Sequence, residues 1–311
     1  CIPNKYREKM QYITHFYMDI GYKNDYVGVM YLEYEGVKVY FIDNEYYFNG
    51  PTPYGDVKWD IEKFCYFSKA ALSILPSIGF QPDIIHCHDW QAGLVPVYLK
   101  TLFAGDLFYT SMKSVMTIHN LQFQGKWDIK TIQEYSGLPD YVFTPDKLEV
   151  QKDAAMLKGG LVYADKITTV SNTYAKEIQT PYYGEGLDGL LSARWQSLWG
   201  IVNGIDYEVW NPATDPQIYK NYSVDNFREL KKINKIELQK ECGLPQDENQ
   251  FVIGIISRLT DQKGLDLVDR IMNDICCDGV QFIVLGTGDV RYENMFRYYP
   301  VSYTHLRAHE T

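Results

Sequence analysis

Residues 83–93 read DIIHCHDWQAG and contain both halves of a strand–helix unit. The apolar residues at 83–86 predict a short buried strand, and a helix is predicted after the stretch. His86, His88 and Asp89 lie between the two, where the strand ends. Three interpretations are open: a metal site, a catalytic group, or a strand end that is polar for structural reasons.

The alternation of strand and helix patterns continues on both sides of this unit. Strands are predicted at 26–34, 37–43, 114–118, 166–170, 251–256 and 280–285, and helices at 59–75, 92–102, 150–163, 227–242 and 265–275. Strands that alternate with helices of this length predict right-handed βαβ units around a parallel sheet, so the fold class is α/β. Glu35-Gly36 reads as the turn of a hairpin between the first two strands.

A change of pattern near 195–225 predicts two such sheets in separate domains. We expect residues 1–200 to form an N-terminal domain whose start is missing and residues 201–300 to begin a truncated C-terminal domain. Residues 301–311 resemble one reading frame of a sequencing-library adapter, so we expect a translated artefact that supplies no strand.

The composition excludes several classes of partner. With 46% hydrophobic and 23% charged residues, the 311-residue chain falls in the globular range. Its formal net charge of −10 argues against nucleic acid or an anionic membrane as a partner. No run approaches the roughly 18 apolar residues of a membrane span. The six cysteines are scattered without C-x-x-C spacing, so we expect reduced thiols and a cytoplasmic protein.

Polar clusters follow several predicted strands, and ligands of open parallel sheets bind at the carboxyl ends of strands. The clusters are His86–Asp89, His119-Asn120, Ser171-Asn172, the loop 257–264 and the loop 286–289. In the loop 257–264, Arg258 and Lys263 are two cations between a buried strand and a helix start, which suits a diphosphate. Gly286-x-Gly288 alone is a weak signal for phosphate. Lys158-Gly159-Gly160 suggests a phosphate loop, but its helical context favours packing.

For the HCHD stretch, metal binding would need a third ligand. His86 and His88 share a face of a strand, but no further His, Cys or carboxylate at metal-ligand spacing accompanies them. We therefore expect no metal. The structural alternative is a pair of buried histidines bonded to the backbone, and Asp89 is the better functional candidate.

Taken together, these clusters resemble the bacterial glycogen synthases and plant starch synthases. Besides DIIHCHDWQAG, the matching segments are VYFIDNEYYFNG (39–50), TIHNLQFQG (117–125), KGGLVYADKITTVS (158–171), GIVNGIDYEVWNPATD (200–215), SRLTDQKGLDL (257–267) and LGTGDVRYE (285–293). Their order and spacing make the resemblance specific, although no single segment decides it.

The resemblance implies two Rossmann-like domains of the GT-B type that face a cleft, with the second domain truncated. It also implies a retaining glucosyltransferase that moves glucose from ADP-glucose to the non-reducing end of an α-1,4-glucan, without metal or cofactor. By that resemblance, His119 and Asp89 lie at the donor glucose as catalytic candidates. The residues expected to bind substrate are Arg258, Lys263, Asn203, Asn120 and Gly288.

Two family motifs are missing from the sequence. The Lys-x-Gly-Gly-Leu motif is expected before residue 1, and a two-glutamate motif is expected after residue 300. We therefore expect the chain to be an internal fragment that is inactive as written.

Three other functions stay open. Another GT-B enzyme that uses a UDP- or GDP-sugar would share most of these features. A nicotinamide dehydrogenase has a similar alternation, but the G-x-G-x-x-G fingerprint after the first strand is missing. A non-catalytic glycan-binding module would explain the 15% aromatic content, but not the cations in the loop 257–264.

Overall fold

The computed structural model describes residues 2–277, 279–302 and 306–309. The chain forms two compact units, of which the first ends at Asn203 and the second begins at Gly204. Helices alternate with parallel strands in both units, so the predicted α/β class is confirmed. Among the helices described, none is both long enough and apolar enough to span a membrane.

The first unit contains an antiparallel sheet, a parallel sheet and a small antiparallel ribbon. In chain order its elements are α1 (Asn4–Arg7), β1 (Gln11–Ile20), β2 (Lys23–Tyr34), β3 (Val37–Asp43), α2 (Glu45–Phe48), α3 (Val57–Ser77), β4 (Ile84–His88), α4 (Leu94–Lys100), β5 (Lys113–Ile118), β6 (Lys126–Asp128), α5 (Ile129–Ser136), β7 (Glu149–Val150), β8 (Asp153–Ala155), α6 (Met156–Tyr163), β9 (Lys166–Thr169), α7 (Asn172–Glu177), α8 (Asp188–Ala193) and β10 (Leu198–Gly200).

The antiparallel sheet has the order β1-β2-β3. The predicted hairpin between β2 and β3 is confirmed, and both residues of its turn have positive φ, 51° at Glu35 and 78° at Gly36. Two-residue turns of that handedness match the twist of the strands they join. One face of this sheet belongs to the same hydrophobic core as α3, and Val27, Val29 and Met18 are buried in it.

The parallel sheet has the order β10-β9-β5-β4, and all its strands run in one direction. Its inner strand β5 is buried on both faces, at Met116 and Ile118 on one face and at Thr117 on the other, as a strand covered by helices requires. Gly160 of α6 lies against the backbone of Gly93, where an added Cβ would come within 2.9 Å of the carbonyl oxygen. The Lys-Gly-Gly segment therefore serves helix packing, as its helical context favoured.

The helix predicted at 150–163 is wrong in its first half. Residues Glu149–Val150 and Asp153–Ala155 are strands of a hairpin, and α6 begins only at Met156. Gln151 and Lys152 turn the hairpin with φ of 54° and 73°, which no helix residue adopts. The apolar spacing of this segment fits both structures, so pattern alone could not decide between them.

The second unit also has a parallel sheet, with the order β11-β12-β13. Its elements are α9 (Phe227–Glu241), β11 (Val252–Ile256), α10 (Leu265–Cys277), β12 (Gln281–Leu285), α11 (Val290–Ser302) and β13 (Leu306–His309). The expectation that the last eleven residues supply no strand is wrong, because β13 pairs in parallel with β12. Backbone pairing needs no particular side chains, which is why composition missed it. Residues 303–305 and 310–311 lie outside the described residues, and the adapter origin of the tail stays a prediction.

Candidate active site

The carboxyl ends of the four parallel strands of the first unit meet at one edge of the sheet. Asp89 follows β4, His119 follows β5, Ser171 follows β9 and Asn203 follows β10. Parallel α/β sheets bind ligands at this edge. The sheet thus brings together the polar residues of the first unit that the sequence singled out.

Asp89 connects the loops that follow β4 and β5. Its Oδ1 accepts hydrogen bonds from the backbone amides of His119, at 2.8 Å, and Asn120, at 3.3 Å. Its own amide donates to the carbonyl oxygen of Thr117 at 2.9 Å. The residue has a φ of 54°, a conformation that a non-glycine side chain adopts only when its surroundings enforce it. Asp89 therefore fixes the backbone of His119, and Oδ2 accepts no bond from any described residue.

His88 holds the ring of His119. Nδ1 of His88 and Nε2 of His119 are 3.0 Å apart, with ring centroids 5.3 Å apart. Burial lowers the pKa of His88, and the neighbouring His86 and His119 lower it further, against the opposing effect of Asp89. A neutral His88 can donate or accept this bond, so it can adapt to either tautomer of His119.

A second set of side-chain hydrogen bonds connects β4, β5 and β9 within the same sheet. Nε2 of His86 lies 2.6 Å from Oγ1 of Thr117, which lies 2.6 Å from Oγ1 of Thr168. The rings of His86 and His88 are 4.2 Å apart, on one face as the alternation predicts. The structural alternative for these histidines is wrong, because both are exposed and bond side chains. In the described part of the chain, no three His, Cys, Asp or Glu residues are arranged to hold a metal.

Sequence reasoning included His88 in a polar cluster without giving it a role in the site, and it did not single out Thr117 or Thr168. The feature that identifies these residues is the alignment of the strands, because His88 pairs with Thr117 and Thr117 pairs with Thr168 across the sheet. That register is set by contacts between strands, which no single segment reveals.

Asn120 and Asn203 occupy different settings at the same edge. Oδ1 of Asn120 accepts a bond from the amide of Gln122 at 3.1 Å, so this side chain helps to shape its own loop. Asn203 is exposed and lies just beyond Ile201, whose amide still bonds Thr169 of β9 at 2.7 Å. Neither arrangement tests the substrate contacts predicted for the two residues.

In the second unit, the loops after β11 and β12 pack against each other through their backbones. The amide of Leu259 bonds the carbonyl of Thr287 at 2.9 Å, and the amide of Asp289 bonds the carbonyl of Leu259 at 2.8 Å. A Cβ on Gly288 would lie 2.3 Å from the carbonyl oxygen of Leu259, and one on Gly286 would lie 2.0 Å from that of Ser257. The packing of the two loops therefore requires glycine at both positions, whether or not a substrate binds there.

Arg258 and Lys263 lie exposed in the loop after β11. Neither side chain forms an ion pair or hydrogen bond with residues 2–277, 279–302 or 306–309. The nearby Asp261 is instead neutralised by Arg291 and accepts a bond from the hydroxyl of Tyr292 at 2.5 Å. The loop therefore keeps two uncompensated cations directly before the N-terminus of α10, a position that favours an anion.

Comparison with known proteins places the chain in a family. The starch synthase catalytic domain family matches residues 1–193. Glycogen synthases of Lachnospira eligens and Lachnoclostridium phytofermentans are 61% and 57% identical to the chain over 303 residues, which is 97% of it. The chain spans 63% of the length of each of these relatives. The catalytic domain of starch synthase IV from Arabidopsis thaliana, solved with ADP and acarbose, matches 97% of the chain and 62% of its own length, with a TM-score of 0.86 and 30% identity.

Proposed function

Because this chain belongs to the family of starch synthase catalytic domains, we propose that its protein is a retaining glucosyltransferase. The resemblance to glycogen and starch synthases that the motifs carried is confirmed by relatives at up to 61% identity. The proposed reaction moves glucose from ADP-glucose to the non-reducing end of an α-1,4-glucan. The proposal includes the GT-B arrangement, in which two Rossmann-like domains, residues 1–200 and 201–300, face a cleft.

The observation that carries the proposal is the uncompensated pair Arg258 and Lys263. Breaking the bond between a sugar and a diphosphate leaves negative charge on the leaving group. Cations that are already in place stabilise that charge without further rearrangement. Since Asp261 is neutralised by Arg291, its carboxylate does not compete for the two cations.

For the sugar of the donor, we propose that His119 contacts the glucose and that Asp89 and His88 hold His119 in position. The two bonds from Oδ1 of Asp89 fix the backbone of His119, and His88 fixes its ring. Catalysis gains from groups that do not have to be oriented during the reaction. Asn120, Asn203 and Gly288 are proposed to contact substrate as well, and Oδ2 of Asp89 is the carboxylate atom open to a sugar hydroxyl.

ADP as the donor nucleotide is supported by the starch synthase IV structure, which was solved with ADP and acarbose. A UDP- or GDP-sugar donor is the alternative. The cytoplasmic location is likewise a proposal, supported by the free thiols of Cys65, Cys87 and Cys242.

Calorimetry of the full-length protein with ADP, UDP and GDP tests the donor half of the proposal. We expect ADP to bind most tightly and Arg258→Ala to weaken it by on the order of tenfold or more, as for a lost charge-assisted bond. A glycan-binding module would bind maltooligosaccharide and ignore all three nucleotides.

Transfer itself is measured in the full-length protein. Labelled glucose from ADP-glucose should enter glycogen faster than glucose from UDP-glucose, and the new linkage should be α by NMR. A β linkage, or a clear preference for UDP-glucose, would contradict the proposal.

A further inference from the structure

The antiparallel sheet of the first unit has one face that the proposed reaction does not use. The other face carries Val27, Val29 and Met18, which are buried in the hydrophobic core that also contains α3. The free face has a row of four aromatic rings, from Tyr12, His15, Tyr26 and Tyr17. We define these four residues as the aromatic row.

A β-bulge brings Tyr12 into the aromatic row. Residues 12 and 15 of a regular strand would point to opposite faces, because side chains alternate. The register with β2 shifts between Tyr12 and Thr14, so that Tyr12 pairs with Met30 and His15 pairs with Gly28. Since Met30 and Gly28 share a face, Tyr12 and His15 do too. Bulges that re-aim a side chain are common next to functional sites.

A glycine makes room for the middle of the row. An added Cβ on Gly28 would lie 2.9 Å from the hydroxyl oxygen of Tyr26, so a larger residue there would displace that ring. The ring of Tyr26 stacks on His15, with centroids 5.5 Å apart and planes inclined by 29°. Tyr17, its direct cross-strand partner, meets it edge-on at 5.9 Å.

The two ends of the row are open to solvent. Tyr12 is 56% exposed and Tyr17 is 63% exposed, which is a high fraction for large rings in a sheet. Cross-strand aromatic pairs stabilise a sheet through the contact between their rings. That contact does not require Tyr12 and Tyr17 to be exposed, so sheet stability does not explain their exposure. The hydroxyl of Tyr12 bonds Nδ1 of His15, which fixes the orientation of the outer ring.

The row also borders a cavity within the same unit. Met30, the partner of Tyr12, and Asp43, the partner of Gly28, both line a cavity of about 860 Å³. Its wall includes Tyr46, Tyr54 and Trp59. The aromatic row and the cavity are therefore neighbours through Met30 and Asp43.

We propose that the aromatic row is a binding platform for an α-glucan chain, separate from the sheet that carries Asp89 and His119. Sugar rings have apolar C–H faces with hydroxyl groups around them, which complements ring faces bordered by phenol and imidazole groups. No charge is needed, and the row has no carboxylate or ammonium member. The choice of glucan as ligand rests on the proposed function, whereas the platform rests on the bulge, the glycine and the exposed rings.

The test measures maltoheptaose and glycogen binding by the 311-residue chain without any nucleotide. We expect Tyr12→Ala and Tyr17→Ala each to weaken glucan binding by about tenfold, the effect of losing one ring contact. Tyr12→Phe and Tyr17→Phe keep the rings and should bind nearly as the parent chain does. Tyr141→Ala is the matched control, since Tyr141 is also 56% exposed in the same unit, and it should bind normally.

A second measurement follows the His15 ring by NMR as maltoheptaose is added, so the proposal stays testable if an alanine variant misfolds. Unchanged His15 signals, unchanged binding in both alanine variants, or an equal loss in Tyr141→Ala would overturn it. ADP affinity separates this inference from the proposed function. A full-length protein that binds glucan through the row but does not bind ADP would support the platform and count against the glucosyltransferase.

Discussion

Nδ1 of His88 lies 3.0 Å from Nε2 of His119, although 31 residues separate the two in the chain. Strands β4 and β5 bring them together, because His88 pairs with Thr117, two residues before His119. One ring must donate the hydrogen bond and the other must accept it, so the bond is lost when both rings are protonated. The orientation of His119 therefore depends on a neighbour outside the predicted site.

We expect His88→Leu to lower kcat for glucose transfer by on the order of tenfold with a smaller change in KM, because it removes a positioning contact. His88→Gln can still bond His119 and should recover part of the loss. His86→Leu is the control, since His86 bonds Thr117 instead. Steady-state kinetics of the full-length protein measure the three variants. The same loss in His86→Leu would contradict a role specific to His88.

Replacing the two cations should impair donor chemistry and leave the fold intact. Arg258→Ala and Lys263→Ala are each expected to raise the barrier to transfer by about 2–4 kcal/mol, as for the loss of one preorganised group at a developing charge. Both residues are exposed, so thermal unfolding should hardly change. Lys231→Ala, an exposed cation on α9, controls for net charge. Near-normal kinetics in both site variants would contradict the diphosphate assignment.

Gly288→Ala should destabilise the second unit even without ligand. The added Cβ would lie 2.3 Å from the backbone oxygen of Leu259, so the two loops must separate, at a cost of roughly 1–3 kcal/mol. Gly254→Ala places its Cβ where no atom lies within 4 Å and should be tolerated. Thermal unfolding of both variants measures whether Gly288→Ala lowers the Tm more than Gly254→Ala does. An unchanged Tm for Gly288→Ala would show that the loops can move apart freely.

Asp165 should stabilise the first unit in a pH-dependent way. Burial raises the pKa of its carboxyl, but the amide of Ser114 and the ammonium groups of Lys100 and Lys113 outweigh burial and hold the pKa below 3.8. The folded state therefore gains stability above the unfolded pKa and loses it as the pH falls through the folded pKa.

Urea unfolding at pH 7 and pH 3 measures this contribution. Asp165→Asn should lower the free energy of unfolding by about 1–2 kcal/mol at pH 7, and the difference from the parent chain should shrink at pH 3. Asp153→Asn breaks an exposed pair with Lys126 and should cost less than about 0.5 kcal/mol at either pH. A difference for Asp165→Asn that grows toward pH 3 would reverse the sign we derive.

Transfer should survive exhaustive chelation, because Arg258 and Lys263 are proposed to take the place that a divalent cation fills at other diphosphates. Activity of the full-length protein is measured after dialysis against EDTA, and again after zinc or magnesium is returned. A loss that either metal restores would reopen the metal interpretation of His86 and His88.

The sequence predicted which residues lie at the strand ends, but not what they contact there. Alternation identified the strand that carries His86 and His88 because a face of a strand is a local property. The bonds from His119 and Asn120 to Asp89 depend on the register between β4 and β5, which long-range packing sets. Asp89 was accordingly predicted as a group at the sugar, whereas the structure gives one of its oxygens a backbone role.

Gly288 illustrates the same limit in the second unit. A glycine in a strand-end loop predicts that another group approaches its backbone closely. That group can be a ligand or another part of the protein backbone, and the sequence does not distinguish the two. The approaching group in the structure is the carbonyl of Leu259. Substrate contact by Gly288 remains a prediction that the ligand-free stability of Gly288→Ala helps to judge.

The left-handed backbone of Asp89 has a mechanical consequence. The turn Trp90–Ala92 begins directly after it, and the ring of Trp90 lies over Gly125, where a Cβ would come within 2.3 Å of a ring carbon. Asp89 thus joins the backbone at His119 to the ring of Trp90, and through it to the loop that ends at Gly125. A single residue, Asp89, therefore couples the position of the His119 backbone to the packing of Trp90 on Gly125.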